Sequence, residues 1–314
     1  DINLNSFTSS NYNLGDSVLV SGSVTHTNTT RANLNLILNC NNNSAQIAAV
    51  LLDLKANQQV RFSRFVTLPT KLLGQCKFIA NLRGMNGGII EAEEFEAFEL
   101  SDKLQGTFDI NGNEFQLGDK VVIKGTVAKQ NNASIDGYFM ISFKQGENTL
   151  FLDTVEVADG IVDYELLLSR IPTGNYTVDL SVSDTFGNSK GFTNLFNFTV
   201  DGNLELHVTF DRNLYSPGDT LALNGYVSSK MNKPLKNINL EFNFGNEIRS
   251  RTLTTGADTF NINHIIPTNI KTGDHNISVV VSDEEGNYAS EIFSYSVMAV
   301  PTVLGVSLDS NNYD

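Results

Sequence analysis

The sequence predicts an all-β protein built from tandem β-sandwich domains, and three observations predict it. A phrase recurs three times: Tyr12-Asn-Leu-Gly-Asp-Ser-Val-Leu-Val-Ser-Gly-Ser-Val24, Phe115-Gln-Leu-Gly-Asp-Lys-Val-Val-Ile-Lys-Gly-Thr-Val127 and Tyr215-Ser-Pro-Gly-Asp-Thr-Leu-Ala-Leu-Asn-Gly-Tyr-Val227. Its copies lie about a hundred residues apart, a domain length, whereas solenoid units run about 20–50 residues. Apolar and polar residues alternate within each copy, the period of a strand with one buried face. Turn signals then cut each hundred residues into about seven short stretches.

Each element follows from local chemistry. An aromatic opens the phrase, and Gly-Asp makes a turn in which glycine supplies positive φ and aspartate is expected to bond the backbone ahead. The strand behind it buries Val18, Val20 and Gly22, then Val121, Ile123 and Gly125, then Leu221, Leu223 and Gly225. A second landmark reads Leu68-Pro69-Thr70, Ile171-Pro172-Thr173 and Ile266-Pro267-Thr268, followed by Gly74, Gly174 and Gly273. The next strand carries Cys76 and Phe78, Tyr176 and Val178, or His275 and Ile277 in phase. Ser183-Asp-Thr-Phe-Gly-Asn188 and Ser282-Asp-Glu-Glu-Gly-Asn287 are hairpin turns, with aspartate opening a type I turn and glycine left-handed. Closing strands follow at Phe196, Phe198, Val200 and at Phe293, Tyr295, Val297. Such units are immunoglobulin-like sandwiches.

The joints at Leu100–Gly106, Val200–Asn203 and Val297–Pro301 are short and are not Gly/Ser tethers, so a semi-rigid rod is expected. The expected domains are 1–104, 105–203 and 204–301. Residues 302–314 form the first strand of a fourth repeat or a donated strand, because Val306–Tyr313 lines up with Val208–Tyr215.

Composition fits a protein of the cell exterior. The net charge of −14 disfavours nucleic acid and anionic membrane surfaces, and no stretch approaches the roughly 20 apolar residues of a membrane span. The two cysteines, Cys40 and Cys76, are in phase with inward residues. Cys40 is matched with Phe143 and Phe244, and Cys76 with Tyr176 and His275, so a cross-core disulfide and an oxidising setting are expected. Asn28, Asn42, Asn132, Asn175, Asn197 and Asn276 each open a glycosylation sequon, although this chain's composition yields about that many by chance.

Catalytic chemistry finds no residues. His26, His207, His264 and His275 share no metal-ligand spacing, and no nucleophile elbow or phosphate loop occurs, so no catalytic residue is assigned. Glu91, Glu93, Glu94, Glu96 and Glu99 read as the wet face of a closing strand around Phe95 and Phe98. No cofactor is expected. Calcium is the one ligand the turns admit, with Asp184, Asp283, Glu284 and Glu285 as its candidates; the matching turn Arg83-Gly84-Met85-Asn86-Gly87 carries no acid. Sugar stacking has little to use, because tryptophan is absent and Tyr226 and Tyr288 stand alone.

Tyr-X-Pro-Gly-Asp-X-Leu-X-Leu-X-Gly-X-Val at 215–227, with Ile-Pro-Thr and Val-Ser-Asp-X-X-Gly-Asn downstream, resembles the Ig-like repeats of bacterial and archaeal surface proteins. It is also similar to macroglobulin-type β-sandwich domains, although Leu14 and Leu117 replace the proline in the other copies. The resemblance implies a non-enzymatic, secreted or cell-surface array, such as a surface-layer, filament or adhesin component. Its partners would be other copies or further domains of the same protein, or glycans and surface proteins. The alternative is an adhesin or glycan-binding module, or a fragment of a macroglobulin-like inhibitor; neither cysteine has a thioester context.

Overall fold

The computed structural model describes residues 1–5, 9–169, 171–231, 233–245, 247–253, 258–299 and 304–307. The described residues form strands and turns, and no helix among them is long and apolar enough to cross a membrane. Among the described residues the first sandwich has nine strands: β1 (Ile2–Leu4), β2 (Asn11–Asn13), β3 (Ser17–Thr25), β4 (Thr30–Cys40), β5 (Asn43–Leu54), β6 (Gln59–Thr67), β7 (Gly74–Gly84), β8 (Ile89–Glu94) and β9 (Phe98–Ser101). The second has eight: β10 (Leu104–Ile110), β11 (Glu114–Gln116), β12 (Lys120–Lys129), β13 (Gly137–Gln145), β14 (Asn148–Val157), β15 (Ile161–Leu167), β16 (Gly174–Asp184) and β17 (Ser189–Asp201). The third repeats those eight as β18 (Leu204–Phe210), β19 (Leu214–Tyr215), β20 (Thr220–Ser229), β21 (Ile238–Asn243), β22 (Ile248–Leu253), β23 (Thr259–Ile265), β24 (Gly273–Ser282) and β25 (Tyr288–Val297).

One sheet plan serves all three. A small sheet (β1-β3-β6, β10-β12-β15 or β18-β20-β23) packs on a large one (β2-β9-β7-β4-β5, β11-β17-β16-β13-β14 or β19-β25-β24-β21-β22), with β8 also on β7. The opening strand is divided between the sheets. Its first half pairs antiparallel in the small sheet, and its second half crosses to pair parallel with the closing strand, as in Tyr12↔Leu100, Phe115↔Val200 and Tyr215↔Val297. The recurrent aromatic lies in that second half and is buried in each sandwich.

Several expectations are corrected by the pairing. The turn aspartate bonds backward, not ahead: Asp16, Asp119 and Asp219 each accept the N–H three residues earlier, at 2.8, 2.6 and 2.8 Å. Gly15, Gly118 and Gly218 donate to the carbonyls of Leu68, Leu168 and Ile266, so Leu168, and not Ile171, is the second repeat's counterpart of Leu68. The expected single closing strand of the first repeat is interrupted, since Phe95 turns inward between β8 and β9. Of the expected fourth-repeat strand 302–314, residues 302–303 and 308–314 lie outside the described residues. Residues 304–307 are exposed and belong to no strand.

Cys40 and Cys76 form a disulfide. It is not cross-core: the two residues face each other on the neighbouring strands β4 and β7 of one sheet, with both side chains on its buried face. Phe143 pairs with Val178 as Leu38 pairs with Phe78, so Phe143 stands level with Leu38 rather than with Cys40.

By compactness the chain divides in two. One unit comprises 1–113, 121–166 and 175–198, and the other 114–120, 167–174 and 199–314. In the second unit the third core gathers Tyr215, Leu223, Phe242, Ile277, Val279 and Tyr295. His264 lies beside that core, 1% exposed, stacked on Phe244 at 3.9 Å and 3.3 Å from a Glu247 carboxylate oxygen. Burial, helped by the Arg249 charge, lowers its pKa against the pull of Glu247. A depressed folded-state pKa means the unfolded chain binds the proton first, so stability falls as pH drops below the ordinary histidine value near 6.5. The third sandwich is therefore expected to lose stability as the pH falls below about 6.5, and His264→Phe to flatten that slope. Urea midpoints over the range check it; an equal slope in the variant would overturn the assignment.

Candidate functional site

Where an active site would be sought, the described residues offer no cluster of three or more His, Cys, Asp or Glu side chains suited to a metal. The most constructed polar arrangement is instead a turn that reaches from one repeat to the Gly-Asp turn of the repeat before it. It occurs twice, once in each compact unit.

In the first unit the turn is Asp184-Thr-Phe-Gly-Asn188. Asp184 Oδ1 accepts the N–H groups of Phe186 and Asn188, both at 2.9 Å, and its Oδ2 accepts the Asn188 side-chain amide at 2.6 Å. Gly187, at φ 95°, closes the bend. The amide so oriented is fully buried and grips the first repeat. It donates to the Leu14 carbonyl at 2.9 Å, and its Oδ1 accepts from Leu14 N at 3.1 Å and from Asn13 Nδ2 at 3.3 Å. Directly after it, Ser189 N donates to Asp102 O at 2.8 Å, tying the closing strand to the connection between repeats.

Charge and shape complete the joint. The Lys129 ammonium meets Asp16 at 2.6 Å with both side chains only 10% exposed, and Asn131 donates to the same carboxylate. Gln130 N donates to Asn13 Oδ1 at 2.9 Å. Phe186 lies over Gly15, where a Cβ would come within 2.2 Å of its ring. Gly15 also holds φ 77°, so the recurrent glycine is needed for its own turn and for its neighbour's approach.

In the second unit the same parts recur around Asp283-Glu-Glu-Gly-Asn287. Asp283 binds Glu285 N, Asn287 N and the Asn287 amide, and that amide donates to Leu117 O at 3.1 Å. Tyr288 N donates to Gly202 O at 2.7 Å, and Glu285 crowds Gly118. Lys233 pairs with Asp119, Lys230 with Asp201 at 3.0 Å, and Ser229 donates to Gln116. Burial raises the Asp201 pKa, but the Asn203 N–H and the Lys230 ammonium outweigh it and hold it below the usual carboxylate range. The second grip is the looser one, since Asn287 Oδ1 is buried without a hydrogen-bond partner.

The calcium candidates are thereby placed. Asp184 and Asp283 use their carboxylate oxygens on their own turns, Glu285 accepts from Ser169 at 2.6 Å, and Glu284 accepts from Asn237 at 3.0 Å. Excess chelator is accordingly expected to leave the melting temperature unchanged. A rise on adding millimolar calcium would show that the ion competes for these oxygens.

The six sequon asparagines are all exposed: Asn28, Asn42, Asn132, Asn175, Asn197 and Asn276. Asn132 Oδ1 accepts from Gln105, Asn197 Oδ1 from Thr177 and Asn276 Oδ1 from Ser294. Tyr226 is not isolated as expected. It stacks on His207 with centroids 4.4 Å apart, lining a groove on the small sheet of the third sandwich with Asn224, Arg251 and Asn261. Tyr288 is half exposed, and its backbone belongs to the second joint. Sequence reasoning missed Asn188 and Asn287 as gripping residues, although their recurrence after Asp-X-X-Gly was visible.

No family model matches the chain, and no curated protein matches it. Among solved structures it is similar to a tetra-tandem repeat in the extending region of a large adhesion protein, with 18% identity, a TM-score of 0.35, and 94% of this chain and 74% of that one covered. It is also similar to the native conformation of E. coli alpha-2-macroglobulin, with 12% identity, a TM-score of 0.23, and 95% and 23% covered. At these scores neither likeness carries an argument about this chain.

Proposed function

We propose that this chain is a non-enzymatic structural component of the cell exterior, an array of β-sandwich repeats of the surface-layer, filament or adhesin kind. The observation that carries the reading is the repeated joint. Two pairs of successive repeats are clamped by the same kind of contact, a buried asparagine amide and a lysine–aspartate ion pair at each, although the two lysines come from different positions of their repeats. Connections between independent functional domains would not need such parts twice. The disulfide supports an oxidising location, and the exposed sequons are compatible with surface glycosylation. Partners would be other copies or further domains of the same protein, with no cofactor.

Electron microscopy of protein from its native source, with its intact mass, tests this. A regular lattice or filament, or long arrays of repeats, is expected. Dispersed molecules of this size that retain a specific ligand would overturn it.

The groove around His207 and Tyr226 supports a second reading, a glycan-binding module. It offers a stacked aromatic pair beside amide and guanidinium donors. Glycan-array binding that disappears in Tyr226→Ala would favour it over the structural reading.

A further inference from the structure

We propose that the Gly-Asp turn of the third sandwich, Ser216-Pro-Gly-Asp219, which no turn among the described residues covers, is a socket for the Asp-X-X-Gly-Asn turn of a further repeat joined behind it. This takes its occupant from the array reading, and the socket itself stands on geometry within each compact unit.

The three turns are built alike. Gly218 donates to Ile266 O at 2.9 Å and Ser216 N to Asp219 at 2.8 Å, matching the bonds that shape the turns at 13–16 and 116–119. Their surroundings differ. Asn13 and Leu14 are buried by the second repeat's turn, and Gln116 and Leu117 by the third's, whereas Ser216 and Pro217 are only partly buried and Gly218 is exposed. A Cβ at Gly15 or Gly118 would strike Phe186 or Glu285, while at Gly218, among the described residues, it would meet only Thr268, at 3.7 Å. The Pro217 carbonyl stands where the Leu14 and Leu117 carbonyls accept an asparagine amide.

Charge tells the same story. Asp16 and Asp119 take a lysine from the following repeat, but Asp219 pairs with Arg212 of its own repeat at 3.1 Å. Arg212 is 49% exposed, and exposed pairs contribute little to stability, so an incoming lysine can replace it at little cost. Proline at 217 removes the N–H that would reach the asparagine Oδ1, so the third grip should resemble the looser second one.

The occupant is narrowed by the first repeat, whose equivalent turn keeps the backbone bond from Gly84 N to Gly88 O but has glycine in place of both the aspartate and the asparagine. A second copy of this chain therefore cannot dock through its first repeat. A further repeat carrying the full turn can, and residues 306–313 already repeat the opening strand that would precede it.

The test extends the chain by joining Tyr313 to a second copy of Gln116–Asp201, which carries the Asp184–Asn188 turn. Asp219→Cys is combined with Lys129→Cys in the added copy only. Oxidation is expected to link them as readily as Asp16→Cys and Lys129→Cys link in the unextended protein, and Asn188→Ala in the added copy to lower the yield. A parallel chain carries a second copy of Ser216–Val297, with Asp219→Cys set against Lys233→Cys of that copy. Hydrogen exchange reports whether each added repeat folds. Folded additions without the cross-link overturn the proposal, and so does failure of both to fold here although each folds in its own place. Neither native joint is altered, so such a failure leaves the array reading to be decided by microscopy.

Discussion

Asn188→Ala is expected to destabilise the first joint by about 2–4 kcal/mol, because the amide is wholly buried and satisfies groups on both sides of the contact. Truncation strips the Leu14 carbonyl of its donor and leaves Asp184 Oδ2 without the side-chain amide. Each buried group left unpaired costs about 1–3 kcal/mol, and Leu14 N softens the loss because it also reaches Ser101 O. Asn287→Ala should cost less, about 1–2 kcal/mol, since that side chain makes one bond across its joint and its Oδ1 already lacks a partner. Amide exchange at Leu14, and at Ser189 just beyond the turn, should quicken in the first variant alone. Equal effects of the two substitutions on urea unfolding would contradict the difference drawn between the joints. A double variant with Lys129→Met separates the amide from the ion pair. Breaking a poorly exposed pair by removing one partner leaves Asp16 uncompensated, so the two changes should couple rather than add.

Opening the Cys40–Cys76 bond is expected to cost the first sandwich about 4 kcal/mol, the chain-entropy value for residues 36 apart. The loss should be confined to that sandwich, because neither sister core has a cross-link and each fills its corresponding region with rings, such as Tyr176 stacked on Phe198 at 5.2 Å. Reductant on the native protein and the pair Cys40→Ala, Cys76→Ala should agree, since both sulfurs are buried beside Phe98 and Leu38 in a packed core. Hydrogen exchange across β4 and β7 is the readout. A change of less than about 1 kcal/mol would mean that residual structure in the unfolded chain already holds the two strands together.

Much of this was legible in the residues. Period-two alternation placed β3, β12 and β20 with their inward faces, and the repeated Gly-Asp located the same turn three times. Phase also put Cys40 and Cys76 on the core side. Phase fixes a face but not a partner, so a bond across the core and one between adjacent strands look identical in sequence. The proline landmark misled for a similar reason. Leu168 makes the bond that Leu68 and Ile266 make, while Pro172 belongs to a differently built loop. The grip itself was hidden because Asp-X-X-Gly-Asn already has a sufficient local explanation as a turn. Nothing nearby in the chain hints that its last side chain binds a carbonyl 174 residues away.

The glycine turn at 84–88 has a consequence for how such a protein could lengthen. The second repeat carries both a gripping turn and a receiving one, so duplicating it in place would hand its neighbours a ready-made junction at each end. Duplicating the first repeat would insert a segment that receives but cannot grip, and the series would be broken at that point. Heredity by unequal recombination thus has a permitted direction here. A copy of the second repeat extends the series, while a copy of the first interrupts it.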